Sequence, residues 1–193
     1  MTPPLILRKG EVYEFETFLP IQLDATCNGF QHLSLLSLDP SLGLELNLIE
    51  SNREDTPRDF YSFIITNLID FLRVEMDTLQ VKLKNEELSK DQSEEIELKI
   101  EAYKRIINAK LKRSTIKKAI MTIPYNVSFY QLLRYIQENF IRLDSEWFTL
   151  KDDDSIRLHY SDFTLISKGI SEVLNYKFPK LKRRGEGAET LRA

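Results

Sequence analysis

From Phe60 to Leu111 apolar residues return every three or four positions, a spacing that places them on one side of a helix and commits this stretch to amphipathic helices. Phe60, Phe63, Ile64, Leu68 and Phe71 form the first stripe. It follows the start signal Thr56-Pro57-Arg58-Asp59, in which Pro57 suits the first helical position. Ile96, Ile100, Tyr103, Ile107 and Leu111 form the second stripe, and residues 73–112 divide into two helices with a break near Ser89 to Ser93. Six glycines and seven prolines in 193 residues leave few turn-formers for a sandwich or barrel, so a predominantly helical chain is expected.

The remaining composition removes several function classes. With 27 basic and 30 acidic side chains the net charge is -3, so nucleic-acid binding has to come from a local patch. The single cysteine, Cys27, excludes a disulfide within the chain, and with His32 and His159 alone beside it there is no Cys/His zinc cluster. No run of eighteen apolar residues occurs, so no membrane span and no membrane partner are expected. The opening Met1 to Lys9 is too short and too interrupted by proline for a signal peptide or an amphipathic presequence.

Outside the two stripes the pattern is more varied. Val12 to Leu23 reads as a short strand that ends in Phe18-Leu19-Pro20-Ile21-Gln22-Leu23 and stops at Asp24. Asn28 to Leu36 is the next helix, Asp39-Pro40-Ser41-Leu42-Gly43 is a turn cluster, and Arg113 to Ile123 is a helix ended by Pro124. Tyr130 to Phe140 is amphipathic and Lys151-Asp152-Asp153-Asp154 is an acidic loop. Asp162 caps a last helix that runs to Tyr176. Beyond Phe178-Pro179 apolar periodicity is lost, and residues 180–193 are expected to be a disordered tail.

Two clusters carry possible chemistry. In the first, Asp24 emerges from a buried strand beside small residues. A rigid carboxylate of this kind suits Mg²⁺, which prefers hard oxygen donors, although on spacing alone the ordinary role of such an aspartate is a helix cap. Cys27 and His32 read as packed or locally hydrogen-bonded side chains rather than nucleophile and base. The second cluster runs from Lys110 to Asn126. Arg113 and Lys117, four residues apart, share a helix face from which a guanidinium and an ammonium can grip phosphate, and Tyr125 follows eight residues after Lys117. On composition alone the favoured reading is a basic surface helix ahead of an apolar core segment.

Taken together, Asp24 with Gly29-Phe30-Gln31-His32 and, about ninety residues later, Arg113, Lys117 and Tyr125 resemble motifs A and B of the single-subunit, phage-type DNA-directed RNA polymerases. Met121-Thr122-Ile123-Pro124-Tyr125-Asn126 looks most like the branch found in mitochondria and on mitochondrial plasmids. The resemblance covers roughly residues 15–180. The helix with Asp59, Phe60 and Tyr61 falls where that family has an aromatic residue near its active site.

The resemblance implies an α+β, predominantly helical chain forming part of the palm and fingers of a right-hand polymerase. Its palm portion would be 12–55, its helical fingers 56–145, and a helical continuation 146–179. Asp24 would ligate catalytic Mg²⁺, Arg113 and Lys117 would hold the incoming triphosphate, and Tyr125, with Tyr61 nearby, would contact the nucleotide. Gln31 and His32 would support the palm. Partners would be a DNA template, nascent RNA and nucleoside triphosphates, and the location mitochondrial. Two departures bear on this expectation. Asn126 stands where the family has glycine, and the family's third motif, His-Asp-Ser with a second metal-binding aspartate, is missing. His159-Tyr160-Ser161-Asp162 has the wrong spacing for it. The chain is therefore expected to be an inactive fragment that needs a missing C-terminal polymerase part. The rival readings are a non-catalytic helical module that binds phosphate or nucleic acid, and a degenerate reading frame without function.

Overall fold

The computed structural model describes residues 27–49, 57–85 and 89–181. The strand expected before Asp24 and most of the expected tail lie outside these residues. Seven helices and a three-stranded antiparallel sheet follow in the order α1 (Asn28–Ser37), α2 (Pro40–Glu45), α3 (Phe60–Asn85), α4 (Lys90–Asn108), α5 (Arg113–Thr122), a 3₁₀ turn (Ile123–Tyr125), α6 (Phe129–Gln137), β1 (Phe140–Arg142), β2 (Trp147–Leu150), β3 (Asp153–His159) and α7 (Tyr160–Lys177). The described part is thus α+β and predominantly helical.

α3 is the axis of the structure. Its stripe of Phe60, Tyr61, Ile64, Leu68 and Leu72 is buried, and α4, α5 and α7 all pack on it. The helix begins at Phe60 rather than at Pro57. The Asp59 carboxylate accepts the Tyr61 N–H at 3.2 Å and the Ser62 hydroxyl at 2.6 Å, which satisfies the free donors of the first turn and sets the start there. The expected break also exists: α3 ends at Asn85, and Ser89 with Gln92 forms a reciprocal capping box that starts α4. α7 crosses α3 closely enough that a Cβ on Gly169 would stand 2.5 Å from Leu68 Cδ1, so a methyl group there would displace the end of the Leu68 side chain.

Three local expectations are corrected. Asp39 to Gly43 is no mere turn, because the Asp39 side chain accepts the Ser41 and Leu42 N–H groups, Pro40 takes the first helical position, and α2 forms. Within 146–179, expected as a helical continuation, residues 147–150 and 153–159 are strands and helix begins at Tyr160. The sheet has order β1-β2-β3, pairs Phe140 with Leu150 and Phe148 with Leu158, and carries an irregularity between Thr149 and Leu150. Phe140 and Phe148 both meet Phe163 of α7 edge-on, with ring centroids at 5.0 and 5.1 Å, and that burial outweighs the polar bias of the Lys151 to Asp154 segment.

Asp162 is the third correction, since the cap of α7 is His159. Asp162 is fully buried in the first turn, accepts the His159 N–H at 2.8 Å, and receives Nε and Nη2 of Arg105 on α4, each at 2.9 Å. Through these bonds the Asp162 carboxylate ties α4 to α7.

Candidate functional site

α5 turns Thr115, Ile116, Ala119 and Ile120 into the core, which leaves Arg113 and Lys117 together on the opposite side. Both come to the ring of Tyr61 on α3. The Arg113 guanidinium carbon lies 4.9 Å from the ring centroid and Lys117 Nζ 5.9 Å from it, so two cations share one aromatic ring. Tyr61 is almost wholly buried. Burial drives its hydroxyl pKa well above the ordinary tyrosine range, and a hydrogen bond with Cys27 adds to the rise. Burial likewise pushes up the Cys27 thiol, at the position just before α1.

Asp59 closes the site on one side. Arg113 Nε donates to its carboxylate, at 3.1 Å from Oδ1 and 3.0 Å from Oδ2. Partial desolvation raises the Asp59 pKa, but hydrogen bonds from Ser62 and Arg113, the Arg113 charge and the Tyr61 N–H outweigh it and hold the group below the usual carboxylate range. Asp59 is therefore ionised at neutral pH.

The end of α5 meets the start of α1. Pro124 converts the last turn to 3₁₀, and Asn126 then takes a left-handed conformation, φ 59° and ψ 45°, which asparagine tolerates better than most residues. A Cβ on Gly29 would stand 2.8 Å from Pro124 Cβ and 3.2 Å from Tyr125 Cε2, so the Gly29 segment and the turn bearing Tyr125 are in direct contact. Tyr125 itself is 69% exposed beside this contact. Gln31 donates to the Leu46 carbonyl at 3.1 Å and braces α1, while His32 is exposed.

The family model described as DNA-dependent RNA polymerase matches residues 5–181. The chain belongs to this polymerase family. A probable DNA-directed RNA polymerase of Podospora anserina is 50% identical over 177 residues, covering 91% of this chain and 17% of that protein. A probable DNA-directed RNA polymerase of Agaricus bitorquis is 29% identical over 84% of the chain and 13% of its own length. The mitochondrial DNA-directed RNA polymerase of Neurospora crassa is 26% identical over 69% of the chain and 8% of its own length. The polymerase-family chain thus spans less than a fifth of these relatives, some of which are named mitochondrial enzymes. No solved structure matches it at a significant level.

Of the sequence-predicted site residues of this polymerase segment, Arg113, Lys117 and Tyr61 are gathered at one place, and Tyr125 lies at the end of the same helix. Asp24 lies outside the described residues. Among the described residues no group of three or more carboxylate, His or Cys side chains is placed to hold a metal ion, and Asp59 is committed to Arg113 and to the start of α3. No described helix is long and apolar enough to cross a membrane. Sequence reasoning passed over Asp59 and Cys27 as members of the site. The Asp59 signal was present as a cap two residues ahead of Tyr61, but its pairing with Arg113, 54 positions away, left no local trace.

Proposed function

We propose that this chain is the motif A and motif B portion of the palm and fingers of a DNA-directed RNA polymerase that acts on a DNA template, nascent RNA and nucleoside triphosphates. Residues 12–55 are its palm portion and 56–145 its fingers portion, with 146–179 a continuation. The supporting observation is the convergence of Arg113 and Lys117 on Tyr61, with Tyr125 turned out at the end of the same helix against the Gly29 segment.

In this reading Arg113 and Lys117 take the triphosphate. The guanidinium offers a planar fork to phosphate oxygens and Lys117 a point charge one turn later. As the bond to the leaving pyrophosphate breaks, the same two cations offset the charge that collects on it. Tyr61 supplies the apolar floor that fixes both cations, and Tyr125 meets the sugar and base of the bound nucleotide. Asp24 would be the carboxylate that holds Mg²⁺, and a bound ion would supply activation of the 3′-hydroxyl and stabilisation of the pyrophosphate. The 193 residues contain no His-Asp-Ser motif, so one metal-binding aspartate is wanting and the chain alone does not polymerise; a C-terminal polymerase part supplies it. The place of action is the mitochondrion, as for the relatives so named.

Two measurements test this. Nucleotide incorporation on a primed template is absent with the chain alone, and Asp24-dependent synthesis by it would refute the fragment reading. Nucleoside triphosphate binding by the same chain is strengthened by Mg²⁺ and weakened by Lys117→Ala. Binding that ignores Mg²⁺ favours a phosphate-binding module instead.

A further inference from the structure

Asp59 is more than a helix cap. Both of its oxygens are held by α3, Oδ1 by the Tyr61 N–H and Oδ2 by the Ser62 hydroxyl, so the carboxylate is a fixed point at the start of the helix on which α4, α5 and α7 pack. Across 54 residues of sequence it takes one nitrogen of Arg113, Nε. That contact is side-on. It leaves the two terminal nitrogens of the guanidinium, with four N–H donors, without a hydrogen bond among the described residues. The guanidinium is also laid over the buried Tyr61 ring. Two anchors, one at an edge and one at a face, leave a planar group little freedom to turn.

We propose that Asp59 is a positioning residue for phosphate recognition: it pins Arg113 by Nε over Tyr61, so that the terminal fork faces outward, ready to take a polyphosphate. The inference rests on the reading of Arg113 and Lys117 as the triphosphate grip. An arginine on a flexible stem has to lose its rotamer freedom when ligand arrives, and a pre-set fork has lost it already. Asp59 accepts the cost of a negative charge near an anion site. A competing carboxylate that must be expelled by the ligand would instead be expected on the terminal fork.

The test is titration of the full 193-residue chain with inorganic tripolyphosphate at low salt, without metal, by calorimetry, for Asp59→Asn, Arg113→Ala, Lys117→Ala and the Asp59→Asn/Arg113→Ala pair. Asparagine keeps an oxygen for the Tyr61 N–H and so preserves the cap, which thermal melting checks. Removing a negative charge beside an anion site tightens binding by electrostatics alone. The proposal predicts the opposite, a weakening of roughly three- to tenfold from the lost orientation, and no further weakening by Asp59→Asn once Arg113 is alanine. Unchanged or tighter binding of Asp59→Asn, with Arg113→Ala and Lys117→Ala both weak, overturns the positioning role and leaves the phosphate grip standing. If Arg113→Ala and Lys117→Ala bind as the parent does, the grip itself falls and the positioning role with it.

Discussion

Among the described residues two of the arginine–aspartate pairs have the guanidinium over an aromatic ring, and they are built in opposite ways. In the pair of Arg105 and Asp162 the anion is fully buried, two nitrogens serve the two carboxylate oxygens at 2.9 Å, and the ring, Trp147 at 5.5 Å, is only half-buried. In the pair of Arg113 and Asp59 the ring, Tyr61, is buried, the carboxylate is 35% exposed, and one nitrogen carries the contact. The first pair spends its donors inside the protein. The second keeps most of them for something outside it. An ion pair that is saturated and buried reads as a fastening between helices, and one that is unsaturated and open reads as a recognition element.

The largest effect expected from this contrast is at the fastening. Asp162→Ala leaves Arg105 without its partner and frees the His159 N–H. It should cost about 3–5 kcal/mol of folding stability, measured by urea unfolding. A loss below about 1 kcal/mol, the value typical of exposed pairs, would break the distinction. Next comes the contact between α1 and the turn after α5. Gly29→Ala drives a methyl group into the Pro124 ring, whose atoms cannot rotate away, and costs about 1–3 kcal/mol while displacing Tyr125. Thermal melting together with nucleotide binding reads both consequences.

Much of the helical frame was readable from the chain itself. The stripes on α3 and α4, the break before Ser89 and the stop at Pro124 are all local events, written in spacing and in backbone preference. What escaped reading is non-local. β2 buries Phe148, Thr149 and Leu150 in succession, so the two-residue alternation that marks a strand is absent, and its partners are reached only through the folded meander. Asp162 reads as a cap until Arg105, 57 positions away, is brought to it. The same holds at the site: Arg113 and Lys117 announce a basic face by their spacing, but the ring beneath them and the carboxylate beside them belong to another helix.

Alkaline titration sharpens the contrast at the Tyr61 platform. Because burial and the Cys27 hydrogen bond raise the hydroxyl pKa in the folded state, the folded protein favours neutral tyrosine. That contribution to stability is complete below the ordinary tyrosine value of 10.0 and is lost as the pH rises beyond it toward the raised folded value. Tyr61 alone should remove about 1.4 kcal/mol per pH unit in that window. Tyr61→Phe, which cannot ionise, should lose less stability between pH 10 and pH 11 than the parent. Identical slopes in chemical unfolding would mean that the hydroxyl is not shielded.

The smallest expected effect is at Arg113, and it completes the comparison. Its side chain is 47% exposed and its pair with Asp59 is open to solvent, so Arg113→Ala should change stability by no more than about 1 kcal/mol, including the contact over Tyr61. The same substitution should reduce salt-sensitive binding of nucleoside triphosphate strongly, because it removes the fork and leaves Lys117 as the cation at the site. Arg105→Ala should do the reverse, impairing folding without a direct effect on triphosphate affinity in the molecules that remain folded. If Arg113→Ala unfolded the chain as Asp162→Ala is expected to, the open pair would be a fastening as well. The distinction drawn from burial and unused donors would then have no functional meaning.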